Sequence, residues 1–136
     1  MTIRKTTSQP DKQRKMIWNA SGSRVNRLLS APLSSGLQSR HGVKSLPVRK
    51  GDTVRIVRGD FTGIEGKVTE VDRARYRLYV EGVTRDKVSG TSTKMTVHAS
   101  KVQITNLSLE DRWRSKSIEK RKNISKPETE TKEEDK

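Results

Sequence analysis

The sequence predicts a mainly β protein: a small closed barrel with a basic, partly helical extension before it and a helix with a disordered tail after it. Two observations predict the barrel. Apolar and polar residues alternate between residues 53 and 105, and glycine-bearing turns separate the short alternating runs. A third observation predicts the extensions, because 29% hydrophobic residues and a mean hydropathy of -0.91 are too polar for one core to hold all 136 residues.

Five short strands are expected, at 53–57, 64–71, 76–80, 94–97 and 102–105. Val54 and Ile56 alternate with polar neighbours in the first strand, and Leu78 and Val80 do so in the third. Tight connections join the strands, and closing them into a barrel over residues 48–107 would remove exposed strand edges. Gly66, inside the second strand, indicates a bulge or a close approach of another backbone.

Residues 1–47 are expected to form a basic extension that is mostly irregular up to residue 33. Ser34 is placed to cap a short helix through His41, and Gly42 stands where that helix would end. Pro47 disfavours helix at the residue before it, so the chain should enter the barrel in extended form.

A helix is expected over residues 108–124, because Ser108 and Asp111 have the spacing of a capping box. Residues 125–136 are highly charged and almost without apolar side chains, which predicts a disordered tail. Trp18 and Trp113 are interpreted as packing anchors for their segments rather than as base-stacking residues.

The charge is concentrated at the amino-terminal end. The chain has 30 Lys and Arg against 16 Asp and Glu, and residues 1–50 hold eleven of these cations with only Asp11 to oppose them. An isolated protein gains nothing from such self-repulsion, whereas a phosphate backbone releases counterions on meeting it. Nucleic acid is therefore the expected partner. The first fifteen residues would also suit an organelle transit peptide, although their Lys-rich pattern with Pro10 is equally typical of a nucleic-acid-binding arm.

Other classes of function have little support in the sequence. There is no run of apolar residues long enough for a membrane span, and there is no cysteine for a disulfide, a thiolate nucleophile or a thiolate metal site. His41 and His98 lack companion ligands at metal spacing, so no metal and no cofactor are expected. Carboxylates are scattered along the strands without a nucleophile and base pair, a P-loop or a dinucleotide fingerprint, so the chain is not expected to be an enzyme.

The stretch VRIVRGDFTGIEGKV at 54–68 resembles a KOW motif, the signature of small SH3-like barrels in ribosomal proteins and transcription elongation factors. The flanking stretches LSAPLS (29–34), SLPVRKGD (45–52), YVEGVT (79–84) and VHASKV (97–102) extend the likeness. Over about residues 11–122 the chain resembles the archaeal and eukaryotic branch of large-subunit ribosomal protein twenty-four, called twenty-six in eukaryotes.

This resemblance implies a structural protein of the cytoplasmic ribosome. It implies an SH3-like barrel bound to large-subunit ribosomal RNA early in assembly, near the mouth of the polypeptide exit tunnel. The implied partners are that RNA, neighbouring large-subunit proteins, and nascent-chain or targeting factors at the tunnel, with neither a membrane nor a second copy of the chain. The alternative is a KOW module of transcription elongation that contacts RNA polymerase or the nascent transcript.

The candidate RNA-binding residues are the cations of the extension and of the first strand, together with the glycine loop that follows it. In that loop Gly59 and Gly63 permit close backbone approach, and Phe61 at the tip either stacks on a base or covers the barrel rim. The full set is Arg14, Lys15, Arg24, Arg27, Arg40, Lys44, Arg49, Lys50, Arg55, Arg58, Gly59, Phe61, Thr62 and Gly63.

Overall fold

The computed structural model describes residues 7–125, and their side chains through residue 122. Three helices precede the barrel: α1 (Pro10–Trp18), α2 (Gly22–Leu28) and α3 (Ser35–His41). The strands are β1 (Ser30–Pro32), β2 (Ser45–Pro47), β3 (Thr53–Ile56), β4 (Glu65–Asp72), β5 (Arg77–Asp86), β6 (Ser92–His98) and β7 (Val102–Asn106). A 3₁₀ turn, Ala99–Lys101, joins β6 to β7, and α4 (Arg112–Ser125) follows.

Strands β3 to β7 form one antiparallel sheet in the order β6-β5-β4-β3-β7. The pairing register shifts in β4 between Val68 and Glu70, and again in the β5–β6 pair between Tyr79 and Thr84. Such irregularities bend and twist strands, which allows a short sheet to curl around a core. The mainly β class and the five predicted barrel strands are confirmed.

Alternation along the strands decides which side chains face the core. Val54 and Ile56 of β3 are buried, as are Leu78 and Val80 of β5 and Ile104 of β7. Their polar neighbours point to the outer face, as expected for a pleated strand with one dry side.

The extension contributes to the same core. β1 pairs with β2, and Leu33 next to β1 forms a parallel bridge to Ile104 of β7, where the Ser34 amide donates to the Ile104 carbonyl at 2.9 Å. Leu29, Ala31 and Leu33 are consequently as buried as the barrel residues. The β1–β2 ribbon therefore covers the barrel at the β7 edge.

The short helix predicted after Ser34 is present as α3, and Gly42 ends it in the left-handed conformation with φ 64°. Ser34 occupies the N-cap position, but its side chain makes no capping hydrogen bond there. The extended entry through Pro47 is confirmed as β2.

The prediction that residues up to 33 are mostly irregular is wrong. Pro10 stands in the first turn of α1, Asp11 follows it, and Lys15 lies in the last turn, an order that suits both the fixed φ of proline and the helix dipole. α2 follows after a short break. Neither helix has a buried residue, and Val25 of α2 is only partly buried against the core, so the apolar signal of these helices in the sequence is weak.

The prediction of a capping box at Ser108 is also wrong. α4 begins at Arg112, and the Asp111 carboxylate accepts from the Trp113 amide at 2.9 Å. The Ser108 amide instead donates to the Asp52 carboxylate at 3.0 Å. The predicted disordered tail lies outside the described residues, except for Ser125, the last residue of α4.

A buried ion pair attaches α4 to the barrel. Asp52 is fully buried, and its two carboxylate oxygens accept from the Arg114 guanidinium at 2.6 and 2.7 Å. The same carboxylate accepts from the amides of Arg49 and Ser108. Arg114 also donates to the carbonyls of Ser108 and Pro47, so no buried polar atom of the pair lacks a hydrogen-bond partner.

Replacing Asp52 by Asn should lower the free energy of unfolding by about 3–5 kcal/mol, because it leaves a buried guanidinium without its counter-charge. Chemical denaturation measures the loss. The control is Asp111→Asn, which breaks the solvent-exposed pair with Arg49 and should cost much less. Equal losses in the two variants would contradict the structural role assigned to the buried pair.

Replacing Gly66 and Gly36 by Ala, one at a time, gives a second test of the fold. A Cβ on Gly66 would lie 2.4 Å from the Glu81 carbonyl oxygen, so Gly66→Ala should destabilise the protein by about 1–3 kcal/mol through overpacking. A Cβ on Gly36 in α3 meets nothing within 4 Å, so Gly36→Ala should stabilise by about 0.5–1 kcal/mol. Thermal unfolding separates the outcomes, and a Gly66→Ala variant as stable as the parent would refute the close approach.

Candidate nucleic-acid interface

The loop between β3 and β4 has a fixed backbone. The Ile56 amide donates to the Ile64 carbonyl and the Gly63 amide donates to the Ile56 carbonyl, both at 2.9 Å. Gly59 and Gly63 have φ of 100° and 93°, in the region that only glycine enters easily. The Thr62 hydroxyl and amide both donate to the Gly59 carbonyl. The predicted need for glycine at these two positions is confirmed.

Three successive amides at the tip of this loop have no acceptor. Within the described chain, the N–H groups of Gly59, Asp60 and Phe61 donate to no backbone or side-chain atom. Consecutive amides of this kind offer a binding position for an anionic oxygen. The exposed Asp60 carboxylate opposes an anion there, so cations nearby are needed to make the loop attractive to phosphate.

Lys101 supplies such a cation. Its carbonyl accepts from the amides of Val57 and Arg58 at 2.8 and 3.3 Å, which ties the 3₁₀ turn to the start of the loop. The Lys101 ammonium lies 3.6 Å from the position that a Cβ on Gly59 would take. Arg58 and Lys101 therefore flank the free amides. Lys101 was missed in the sequence, because only the fold brings the 3₁₀ turn to this loop.

Two predicted residues of this region have competing contacts. Phe61 is partly buried and packs against the core, which favours its role as a rim cover. Arg55 lies directly across from Glu65 in the β3–β4 register, so an acid adjoins its charge. Their contacts with RNA stay predictions.

The two amino-terminal helices present a separate basic surface. Lys15 of α1 and Arg24 of α2 line a cleft of about 360 Å3 together with Lys12, and Arg14 is exposed beside its i,i+3 partner Asp11. The helices are held near the β4–β5 turn by two hydrogen bonds. The Tyr76 hydroxyl donates to the Ile17 carbonyl at 2.9 Å, and Arg73 donates to the Asn26 side chain at 2.7 Å.

Arg27, Arg49 and Lys50 lie around the junction of α2 with the chain that enters the barrel. Arg27 and Arg49 line one groove, and Arg49 and Lys50 line a neighbouring one of about 690 Å3. Asn26 borders both grooves. This junction brings together residues that are separated by more than twenty positions in the sequence.

The pKa values of the two histidines are lowered by burial and by nearby cations. Burial lowers the pKa of His41, and the charges of Arg40 and Lys122 lower it further. Burial likewise lowers the pKa of His98, with Arg77 and Lys101 adding to the effect. Cations therefore gather near α3 and near the 3₁₀ turn, and Lys44 adds an exposed charge after α3.

All ten predicted cations are exposed, but they do not form one patch. Arg49 and Lys50 precede β3 and Arg58 follows it, so they lie at opposite ends of that strand. Of these ten cations, only Arg14 and Arg49 form ion pairs with acids among the described side chains, to Asp11 and Asp111. The structure thus presents a loop surface and an extension surface, both basic.

The interpretation of the tryptophans as packing anchors is wrong. Trp18 is 87% exposed and Trp113 is 77% exposed, with the Lys116 ammonium 5.8 Å from the Trp113 ring centroid. Exposed indole rings suit stacking on a base or packing against a neighbouring protein.

In the part of the chain with described side chains, no group of three His, Asp or Glu residues is placed to hold a metal ion. None of the described helices has the length and apolar character to cross a membrane.

Comparison with known proteins gives consistent results. Residues 7–121 match the family of ribosomal proteins described as L26 in eukaryotes and L24 in archaea. The large ribosomal subunit protein uL24 of Korarchaeum cryptofilum is 46% identical over 113 residues, which cover 83% of this chain and 86% of that protein. The uL24 protein of Sulfolobus acidocaldarius is 44% identical over 118 residues, covering 87% of this chain and 88% of that protein.

Proposed function

The chain belongs to the uL24 family of large-subunit ribosomal proteins, and from this premise we propose that it binds large-subunit ribosomal RNA early in assembly, near the mouth of the polypeptide exit tunnel. As a member of the family it is a structural constituent of the ribosome and not an enzyme. Its place in the cell is accordingly the cytoplasmic ribosome.

The observation that carries RNA binding is the set of exposed cations without counter-charges. Eight of the ten predicted cations have no carboxylate partner among the described side chains. Like charges at this density repel one another in the free protein, and phosphates relieve that repulsion while releasing their condensed counterions. RNA binding is thus the arrangement that gives these side chains a favourable environment.

The amino-terminal helices support the same proposal. Neither α1 nor α2 has a fully buried residue, and of their side chains only Val25 of α2 packs against the core, so much of their surface stays open to a partner. RNA packed against their basic faces would supply the missing contacts. In this account residues 1–47 are the RNA-binding extension, 48–107 the barrel and 108–124 the segment that contains most of α4.

The barrel loop is proposed as the second contact. Arg58 and Lys101 would take phosphates beside the free amides of Gly59 and Phe61, while Gly63 keeps the loop in its turn. Phe61 and Thr62 complete the loop surface. Neighbouring large-subunit proteins, and nascent-chain or targeting factors at the tunnel, are the further partners proposed for a single copy of the chain.

A KOW module of transcription elongation was the alternative. The family match spans residues 7–121, which includes the basic extension and α4 as well as the barrel. A likeness of that extent supports the ribosomal function over a KOW unit used in another context.

Replacing Arg24, Arg27, Arg49 and Lys50 with Ala should weaken binding to a large-subunit rRNA transcript. The slope of log K against log salt should flatten by about one unit for each phosphate that the variant no longer neutralises. Filter binding at several salt concentrations measures both quantities. A control that replaces Arg85, Lys87, Lys94 and Lys116 removes the same formal charge outside the candidate set and should keep most of the slope. An unchanged slope in the first variant would reject both α2 of the extension and the chain that enters the barrel as phosphate binders.

The ribosomal assignment has its own test in cells. The tagged chain should migrate with large ribosomal subunits through a sucrose gradient after a moderate-salt wash, because many phosphate contacts persist at that salt. Recovery with RNA polymerase and absence from the subunits would favour the elongation alternative.

A further inference from the structure

A groove of about 790 Å3 runs between α2, the β1–β2 ribbon and α4, and it is called the arginine groove here. Arg27 lines it from α2, Ser30 and Ser45 from the ribbon, and Ser117 and Arg121 from α4. Arg49 closes one side. The groove therefore joins three segments that are far apart in the sequence.

The polar groups along this groove are arginines, hydroxyls and one amide. None of the residues that line it carries a carboxylate. Arg27 and Arg121 are exposed, and no acid among the described side chains pairs with either of them. Arg49 pairs with Asp111 at a half-exposed position, where an ion pair is weak and a phosphate can compete for the guanidinium. Three guanidinium groups are thus available to one anionic ligand.

The position of Arg121 is set by the docking of α4. Arg114, Ser117, Ile118 and Arg121 follow the i, i+3, i+4, i+7 spacing of one helix face. Arg114 and Ile118 are each 4% exposed and attach that face to the barrel and ribbon. Arg114 itself is committed to Asp52, so it forms a wall of the groove and is not a donor for a ligand. Arg121, three residues beyond Ile118, is left at the rim.

We propose that the arginine groove binds a stretch of RNA sugar-phosphate backbone, and that Arg121 of α4 is an RNA-binding residue alongside Arg27 and Arg49. This inference rests on the proposed rRNA-binding function and adds α4 to the contact surface. Guanidinium groups on three segments match phosphates spaced along a polymer, since each can form paired hydrogen bonds to one phosphate. The Ser45 hydroxyl can donate to a phosphate oxygen, whereas the hydroxyls of Ser30 and Ser117 donate to the carbonyls of Asn26 and Trp113 and can still accept from ribose 2′-hydroxyls.

The first test compares two arginines of the same helix in the full chain. Arg121→Gln should raise the Kd for a large-subunit rRNA transcript by at least about threefold and flatten the salt slope by about one unit. Arg112 lies nine residues earlier, on the opposite side of α4, because each residue turns the helix by about 100°. Arg112→Gln removes the same charge and should have a clearly smaller effect. Equal effects of the two variants would overturn the proposal.

The second test locates the RNA directly. The chain has no cysteine, so Ser117→Cys places one photoactivatable azidophenacyl group in the groove. Glu119→Cys places the same group on the outer side of α4, as the matched control. The proposal predicts that the probe at position 117 crosslinks to one defined rRNA segment. The probe at position 119 should give no crosslink to that segment, or a much weaker one.

The two tests distinguish an error in the groove proposal from an error in the proposed rRNA-binding function. If the unmodified chain binds rRNA with a steep salt slope, but position 117 gives no crosslink above that of position 119, the groove proposal is wrong and rRNA binding stands. If the unmodified chain does not bind the transcript, the proposed function fails and the groove proposal falls with it.

Discussion

The architecture depends on a single buried carboxylate. Asp52 receives two hydrogen bonds from Arg114 and one each from the backbone amides of Arg49 and Ser108. Through these contacts one side chain connects the entry of β3, the exit of β7 and the first turns of α4. A charge with no solvent exposure is tolerable only when it is paired and fully hydrogen-bonded, and here both conditions are met. The paired hydrogen bonds between Arg114 and Asp52 fix the position of this arginine relative to the entry of β3.

That geometry links the fold to its binding surfaces. With Arg114 fixed, Ile118 packs into the core and Arg121 reaches the groove beside Arg27. The Asp52 contact to the Arg49 amide fixes the chain where Arg49 and Lys50 project. The basic surface of α1 and α2 is attached by the hydrogen bonds from Tyr76 and Arg73 and by Val25 of α2, which packs against the core. Basic side chains of the extension, of the chain that enters the barrel and of α4 are thus placed by separate attachments, as suits a protein that meets a large and irregular RNA surface.

The sequence predicted the parts of the fold that depend on local signals. Val54 and Ile56 identified β3 by alternation, Gly59 and Gly63 marked the loop by their need for positive φ, and Gly42 marked the end of α3. Local signals failed where the partner is distant. The sequence predicts Ser108 as a helix cap, but its amide donates to Asp52, which lies 56 residues earlier in the chain. The helix α4 starts only at Arg112. The Asp52–Arg114 pair left no trace in either neighbourhood of the sequence.

The candidate site, too, was only partly predictable from the sequence. An excess of cations in the extension is visible in composition, but which of them share a groove is not. Lys101 and Arg121 became candidates only when the fold placed them beside Gly59 and Arg27. The tryptophans were misjudged because an indole gives the same sequence signal whether it packs inside or faces a partner.

Amide hydrogen exchange tests the central claim, that the buried pair holds α4 on the barrel. The measurement compares the unmodified chain with Arg114→Met under conditions where β3 to β7 stay protected in both. The account predicts that the amides of α4 exchange much faster in the variant while the barrel amides keep their protection, because α4 detaches before the barrel opens. Unchanged protection of α4 in Arg114→Met would show that the helix is held by something else and would contradict the account.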